Sequence, residues 1–415
     1  MGANQSHFDP AQFYFAQSDA AIPANLPTQF STQLVTKDLS AEDLARSCKD
    51  LMRSGSKSFF AASRVLPSRI RADATALYAF CRVADDAIDN ATSPIERVEA
   101  LGHLQQRLTA IYAGRPLQFA EDILLTPIVK QHHIPQAILG ALLEGFAWDA
   151  QSKRYQTLEQ LHDYAARVAG TVGVMMAMIM GCQTEAALER ACELGAAMQL
   201  TNIARDIGED ARANRVYLPT DWFASEAINI DQWLANPILC PAIQRMTERL
   251  LAEADRLYAQ AKLGIAALPP DCRAAILSAA RVYAEIGSLV RQNNCDSVSR
   301  RAVVPFARKL SLMAHSKWAL LPLPWRTEEL WYSEAKPQCL PAVHFLVQSA
   351  LEELQMPAQR TALQDQALQR QNEHDVAMPT GQSFYNKTVW VIDLCERLAQ
   401  RDRQSRSQTW AEQAQ

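Results

Sequence analysis

From Ala41 onward the chain places apolar residues with a helical period. Leu44, Cys48, Leu51 and Met52 recur at spacings of three and four in one segment, and Leu77, Phe80, Cys81, Ala84 and Ile88 follow in the next. That spacing gathers the apolar side chains of each segment on one face. The same period predicts further helices near 94–113, 135–150, 157–182, 187–209, 242–267 and 273–295. No stretch shows the strict alternation of a half-buried strand, so the expected fold class is all-α.

Two breaks in the pattern suggest domain limits. Residues 1–38 carry Pro23 and Pro27 without a sustained period and are expected to be a flexible leader. The run Trp-Ala-Leu-Leu-Pro-Leu-Pro-Trp from Trp318 to Trp325 cannot continue a helix through its two prolines, so the main domain is expected to span 39–325. Residues 326–415 are Gln-rich and charged, with one amphipathic helix expected from Ser383 to Ala399. They read as an accessory tail with the capacity to bind another protein.

Composition agrees with helix. Glycine is scarce, with 14 in 415 residues, while Ala, Leu, Gln, Arg and Glu, which lose least on entering a helix, dominate. A net charge of -4 with pI near 6.1 gives no reason to expect nucleic-acid binding. The nine cysteines are scattered without a C-x-x-C pair, the usage of reduced thiols in a cytoplasmic protein. The leading residues lack the basic flank and apolar run of a secretory signal. The most apolar stretch, Val168–Cys182, falls short of the roughly 20 residues a bilayer span needs and reads as a buried helix.

Candidate chemistry sits on two helices. In the segment Tyr78–Asp89, Tyr78, Arg82, Asp85 and Asp89 step by four, three and four; in Gln199–Asp210, Gln199, Asn202, Asp206 and Asp210 step by three, four and four. Each set forms one polar stripe on a helix whose other faces are largely apolar, so each stripe is expected to face the interior. Carboxylates placed there repel and lose hydration, and Mg²⁺ relieves both penalties when it takes one or two carboxylates together with substrate phosphate oxygens. Residue chemistry by itself leaves a structural polar network as an equal alternative.

The stretch Tyr-Ala-Phe-Cys-Arg-x-x-Asp-Asp-x-Ile-Asp at Tyr78–Asp89 and the stretch Gln-Leu-Thr-Asn-Ile-x-Arg-Asp-x-Gly-Glu-Asp at Gln199–Asp210 resemble the two aspartate signatures of the squalene and phytoene synthase family. Ser56-Lys57-Ser58-Phe59, Arg154-Tyr155, Tyr164-x-x-x-Val168-Ala-Gly170-Thr-Val-Gly173 and Arg215-Val-Tyr217-Leu-Pro219 occur in the family's order. The resemblance covers roughly residues 40–315 and is closest to the bacterial phytoene branch. It implies a single isoprenoid-synthase helical domain with a central cavity. It also implies metal ligation by Asp85, Asp89, Asn202, Asp206 and Asp210 with Gln199 beside them, and diphosphate contacts from Ser56, Lys57, Ser58, Tyr78, Arg82, Arg205, Tyr283 and Arg308. Structural alternatives stand beside these roles: Ser56 and Ser58 as helix caps, Tyr164 as a core tyrosine, Arg82 as the i, i+4 partner of Asp86.

The implied activity is a Mg²⁺-dependent, with Mn²⁺ as an alternative, head-to-head condensation of two geranylgeranyl diphosphates to phytoene through a cyclopropyl diphosphate, the first committed step of carotenoid biosynthesis. It ends by proton loss, with Tyr164 a candidate acceptor, and no NADPH is expected. A squalene or dehydrosqualene synthase using farnesyl diphosphate is the alternative. A non-enzymatic assembly factor is a further one, disfavoured by the two intact aspartate pairs. Trp318, Leu320, Leu321, Leu323 and Trp325 near Arg300, Arg301, Arg308 and Lys309 suggest peripheral membrane contact by an otherwise cytoplasmic enzyme.

Overall fold

The computed structural model describes residues 40–55, 60, 63–319 and 339–355, which fall in one compact unit, Gln33–Thr361. The leader expected over 1–38 and the helix expected over 383–399 lie outside the described residues. Among the described residues the secondary structure is helical throughout, without a strand.

The first group of helices is α1 (Ala41–Gly55), α2 (Ser68–Asp89), α3 (Pro94–Tyr112), α4 (Ala120–Gln131) and α5 (Gln136–Ala150). The helix α2 packs against α1, α3, α4 and α5 through Leu77, Ala79, Phe80, Val83 and Ala84, each under a tenth exposed. That burial is what the apolar period of α2 requires. Ser93 caps α3: Glu96 N donates to Ser93 Oγ (3.2 Å), while Thr92 N, one residue earlier, donates to Glu96 Oε2 (2.7 Å). Sequence periodicity misses α4, because Pro127 interrupts its interior and its first turn buries Glu121 and Asp122 against Arg107 of α3.

The second group begins with α6 (Leu158–Ala165), passes through a π-helical turn (Ala166–Gly170) into α7 (Thr171–Ile179), and continues with α8 (Glu185–Arg212), α9 (Thr220–Ser225), α10 (Ile230–Ala235), α11 (Pro241–Ile265), α12 (Pro270–Gln292) and α13 (Phe306–Ala319). The long helix α8 is central and packs against α7, α11, α12 and the π turn. The helix expected over 157–182 is thus divided in three. Gly173 and Gly195 allow the close crossing of α7 and the π turn with α8: a Cβ on Gly195 would stand 2.1 Å from the Ala169 carbonyl oxygen, and one on Gly173 would stand 2.1 Å from that of Ala191. The π turn and α7 also meet α5, and α7 meets α2, which joins the two groups.

Beyond α13 a 3-10 turn (Pro341–Val343) leads into a helix over 344–355, within the stretch read from sequence as tail. Leu340, Val343, Leu346, Val347 and Ala350 are all buried. Leu340 N donates to Glu193 Oε1 of α8 (3.0 Å), and the Phe345 ring lies 4.9 Å from the Arg167 guanidinium of the π turn. This segment is docked on the same helices that carry the Tyr164–Gly173 motif.

Candidate active site

Tyr78, Arg82, Asp85 and Asp89 lie on α2, and Gln199, Asn202, Asp206 and Asp210 on α8, all at intermediate exposure except Asp89, which is exposed. Burial and the neighbouring Asp89 push the Asp85 carboxyl up to about 6. Burial and Asp206 push Asp210 up to about 7, with Asp149 adding to the effect. Asp149 itself, at the end of α5, is pushed up to about 7 by burial against the pull of two tyrosine hydrogen bonds, and it feels Asp85 as well. One carboxylate thus senses both stripes. The two stripes share one electrostatic space, with α5 contributing a third acidic group.

Arginines are interleaved with these carboxylates. Arg215, just past α8, donates to Asp89 Oδ1 (3.0 Å) and acts electrostatically on Asp85, Asp210 and Asp149 too. Arg82 donates to Asp86 (2.9 Å) and to Asp85 (3.3 Å), so the i, i+4 pairing holds alongside a contact to the stripe. Arg205 (2.8 Å) and Arg301 (2.8 Å) both donate to Asp206 Oδ1; burial alone would raise the Asp206 carboxyl, but these bonds hold it below the usual range. Arg301 also reaches Glu209 (2.9 Å). Its approach depends on Gly208, where a Cβ would stand 2.2 Å from the Val298 carbonyl oxygen, and whose N–H donates to Ser297 O (2.9 Å).

Not every expected residue joins this cluster. Arg308 is exposed and donates to Glu285 of α12 (2.7 Å), and Tyr283 is buried on α12. Ser56, Lys57 and Ser58 lie outside the described residues. Tyr164 is buried and donates to Asp149 Oδ2 (2.9 Å), while Tyr217 donates to Oδ1 of the same carboxylate (2.8 Å). The rings of Tyr164 and Tyr217 stack with centroids 5.2 Å apart, and Tyr155 stands 5.2 Å from Tyr164. Burial, reinforced by Asp149, raises the Tyr164 hydroxyl well above its ordinary value, so it stays a phenol at neutral pH. Asp149 carries no recognisable motif of its own, whereas Arg215 and Tyr217 belong to the Arg215–Pro219 stretch, for which the resemblance assigns no role.

The donor set suits a hard divalent cation: the available groups are carboxylate and amide oxygens, two of the carboxyls resist ionisation, and a bound cation supplies the charge they lack. Among the described residues no three His, Cys, Asp or Glu side chains form a closed ion cage. The arrangement therefore fits cations that complete their coordination with water and the oxygens of a polyphosphate, for which the surrounding arginines are further donors.

Residues 52–308 match the family model of squalene/phytoene synthase. The chain is 47% identical over 308 residues to a phytoene synthase of Rhodobacter capsulatus, covering 73% of this chain and 88% of the relative. It is 39% identical over 272 residues to a 15-cis-phytoene synthase of Pantoea ananas, covering 64% and 88%. Among solved structures it is similar to a dehydrosqualene synthase in complex with ligand, with a TM-score of 0.60 and 30% identity over 68% of this chain and 97% of that one. A squalene synthase of Alicyclobacillus acidocaldarius shares the fold at 22% identity and a TM-score of 0.56, over 61% of this chain and 95% of the other. Two facing aspartate helices in an all-α fold and a match that spans both of them lead to one assignment: the chain belongs to the squalene/phytoene synthase family.

Proposed function

We propose that this protein is a phytoene synthase, a prenyltransferase that joins two geranylgeranyl diphosphates head to head through a cyclopropyl diphosphate and releases two diphosphates and two protons, one as the cyclopropane closes and one at the end. The observation that carries the reading is the convergence of the α2 and α8 aspartates on Arg215. The names of its bacterial relatives supply the product. We assign Asp85, Asp89, Asn202, Asp206 and Asp210 to metal binding, with Gln199 beside them, and Ser56, Lys57, Ser58, Tyr78, Arg82 and Arg205 to the diphosphates. Tyr283 and Arg308 are weaker assignments, Arg308 because it pairs with Glu285.

Loss of diphosphate from an allylic carbon needs the charge on the leaving oxygens neutralised. Bound Mg²⁺ supplies Lewis acidity there. The chain's own part begins with Arg82, Arg205 and Arg215, whose pairings with carboxylates hold cationic donors beside the site before substrate arrives. Anionic diphosphate competes for those guanidinium groups, freeing carboxylate oxygens for cations. Water must be kept from a carbocation, and the buried Val174, Met175 and Met178 of α7 with the stacked tyrosines make a suitable wall. Proton loss needs only a nearby acceptor, for which Tyr164 is a candidate, so no reductant enters.

Peripheral membrane contact belongs to this reading because the substrate tails and product are lipids. Val303 (68%) and Phe306 (72%) are exposed beside Arg300 and Lys309, the mix of apolar and basic groups that suits an interface. Among the described residues no helix is long and apolar enough to cross a membrane. The domain division at residue 325 stays our proposal for the catalytic unit, with 339–355 docked on it.

The reading is tested with the purified chain, geranylgeranyl diphosphate and Mg²⁺. Phytoene should form, and Asp85→Ala or Asp206→Ala should each cut turnover at least ~100-fold with helix content unchanged. Near-normal turnover in both variants would remove the metal-site assignment.

A further inference from the structure

Asp149 ties together three elements that are far apart in sequence. It lies in the last turn of α5, and its two carboxylate oxygens are divided between Tyr164 of α6 (2.9 Å) and Tyr217 of the stretch after α8 (2.8 Å). Each phenol has a single hydrogen to donate. When Asp149 is ionised, both hydrogens turn toward it, and each phenol oxygen then presents only lone pairs to its other neighbours. The rings are stacked at an interplanar angle of 26°, so neither can swing away without disturbing the other. Arg215, already bound to Asp89, sits beside the Tyr217 hydroxyl as well, where an oxygen that accepts is what a guanidinium requires.

We propose that Asp149 is a positioning residue for the condensation: by taking both hydroxyl hydrogens it fixes Tyr164 and Tyr217 as acceptors toward their other neighbours and holds Arg215 against the α2 aspartates. This rests on the prenyl synthase reading and extends it. A phenol oxygen with its hydrogen turned away carries negative potential. Such a fixed dipole favours a developing carbocation and costs no reorganisation when the cation forms. Ionisation of the cyclopropyl intermediate gives a cation that must rearrange before it loses a proton, so the second half of the reaction depends on Asp149 more than the first. Substrate binding depends on it less, because Arg82 and Arg205, which Asp149 does not touch, stand beside the site as well.

Asp149→Asn tests this, because the side-chain amide keeps the shape but offers one acceptor and one donor, forcing one tyrosine to reverse. The kcat should fall about 10- to 100-fold, the usual cost of losing an orienting partner, with KM little changed and the cyclopropyl diphosphate accumulating relative to the hydrocarbon. The variant Tyr164→Phe/Tyr217→Phe should reproduce that product ratio, and adding Asp149→Asn to it should cost nothing further. Should Asp149→Asn fail to fold, the double tyrosine variant decides alone, and wild-type kcat and product ratio in it overturn the proposal. So does wild-type behaviour of Asp149→Asn, or an undiminished effect of Asp149→Asn in the double tyrosine background. The two readings separate cleanly: a wild-type protein that condenses no prenyl diphosphates removes the function, whereas normal wild-type condensation with an unaffected Asp149→Asn removes only the role of Asp149.

Discussion

Arg215 donates from Nη2 to Oδ1 of Asp89 at 3.0 Å, across 126 positions of sequence. The pair fastens the segment after α8 to the last residue of α2 and sets one cation where it acts on Asp85, Asp149 and Asp210. Replacing Arg215 with Gln keeps a hydrogen-bond donor and removes the charge. The expected outcome is a loss of about 100-fold or more in kcat/KM, in line with deleting a preorganised electrostatic donor. Steady-state kinetics check it, and a change under threefold would show that Arg215 is a structural tie only.

The raised carboxyls make stability depend on pH in a defined direction. Asp85, Asp149 and Asp210 stand at about 6, 7 and 7 in the folded chain, against about 4 when unfolded. The folded state therefore holds protons that the unfolded state has released, so their stabilising contribution is complete below about pH 4 and disappears as pH rises through 6 to 7. Without divalent cations, the urea midpoint should drop between pH 5 and pH 8, and Asp210→Asn should flatten the drop. Added Mg²⁺ should restore stability at pH 8 and do less at pH 5, where Asp85 and Asp210 hold protons. An equal Mg²⁺ effect at both pH values contradicts the metal assignment.

The docked segment over 339–355 makes a separate claim about stability. Leu346 is fully buried, and its Cδ1 would lie 3.5 Å from a Cβ on Gly170, so it packs directly on the π turn. In the full-length chain, Leu346→Ala should cost about 2–5 kcal/mol, the range for a buried leucine whose cavity does not collapse. Chemical denaturation measures this. A cost under ~0.5 kcal/mol would mean that the segment contributes little to the fold.

Much of this molecule can be read from one sequence, for a physical reason. Helices such as α2 and α8 write their burial into a local period, and a polar stripe on an apolar helix is visible before any partner is known. The π turn was invisible because it follows from a crossing: Gly173 and Gly195 make contact with backbone atoms of another element, which no local pattern encodes. The helix α4 was hidden by Pro127 and by acidic residues whose partner, Arg107, lies on α3. Asp149 was missed since both its tyrosines come from other elements. In the basic stretch from Arg300 to Lys309, the family resemblance names Arg308 as a diphosphate contact and gives Arg301 no site role; Arg301 reaches Asp206 through the loop crossing at Gly208, which no local pattern encodes.

The central claim is that two geranylgeranyl diphosphates become one hydrocarbon without a reductant. The most direct measurement offers the purified full-length chain geranylgeranyl and farnesyl diphosphate in equal amounts with Mg²⁺, with and without NADPH, and identifies the hydrocarbons by mass spectrometry. Phytoene, a C40 hydrocarbon with a conjugated triene at its centre, should be the main product, at a rate NADPH leaves unchanged. A C30 product from farnesyl diphosphate, diverted to squalene by NADPH, would contradict the claim.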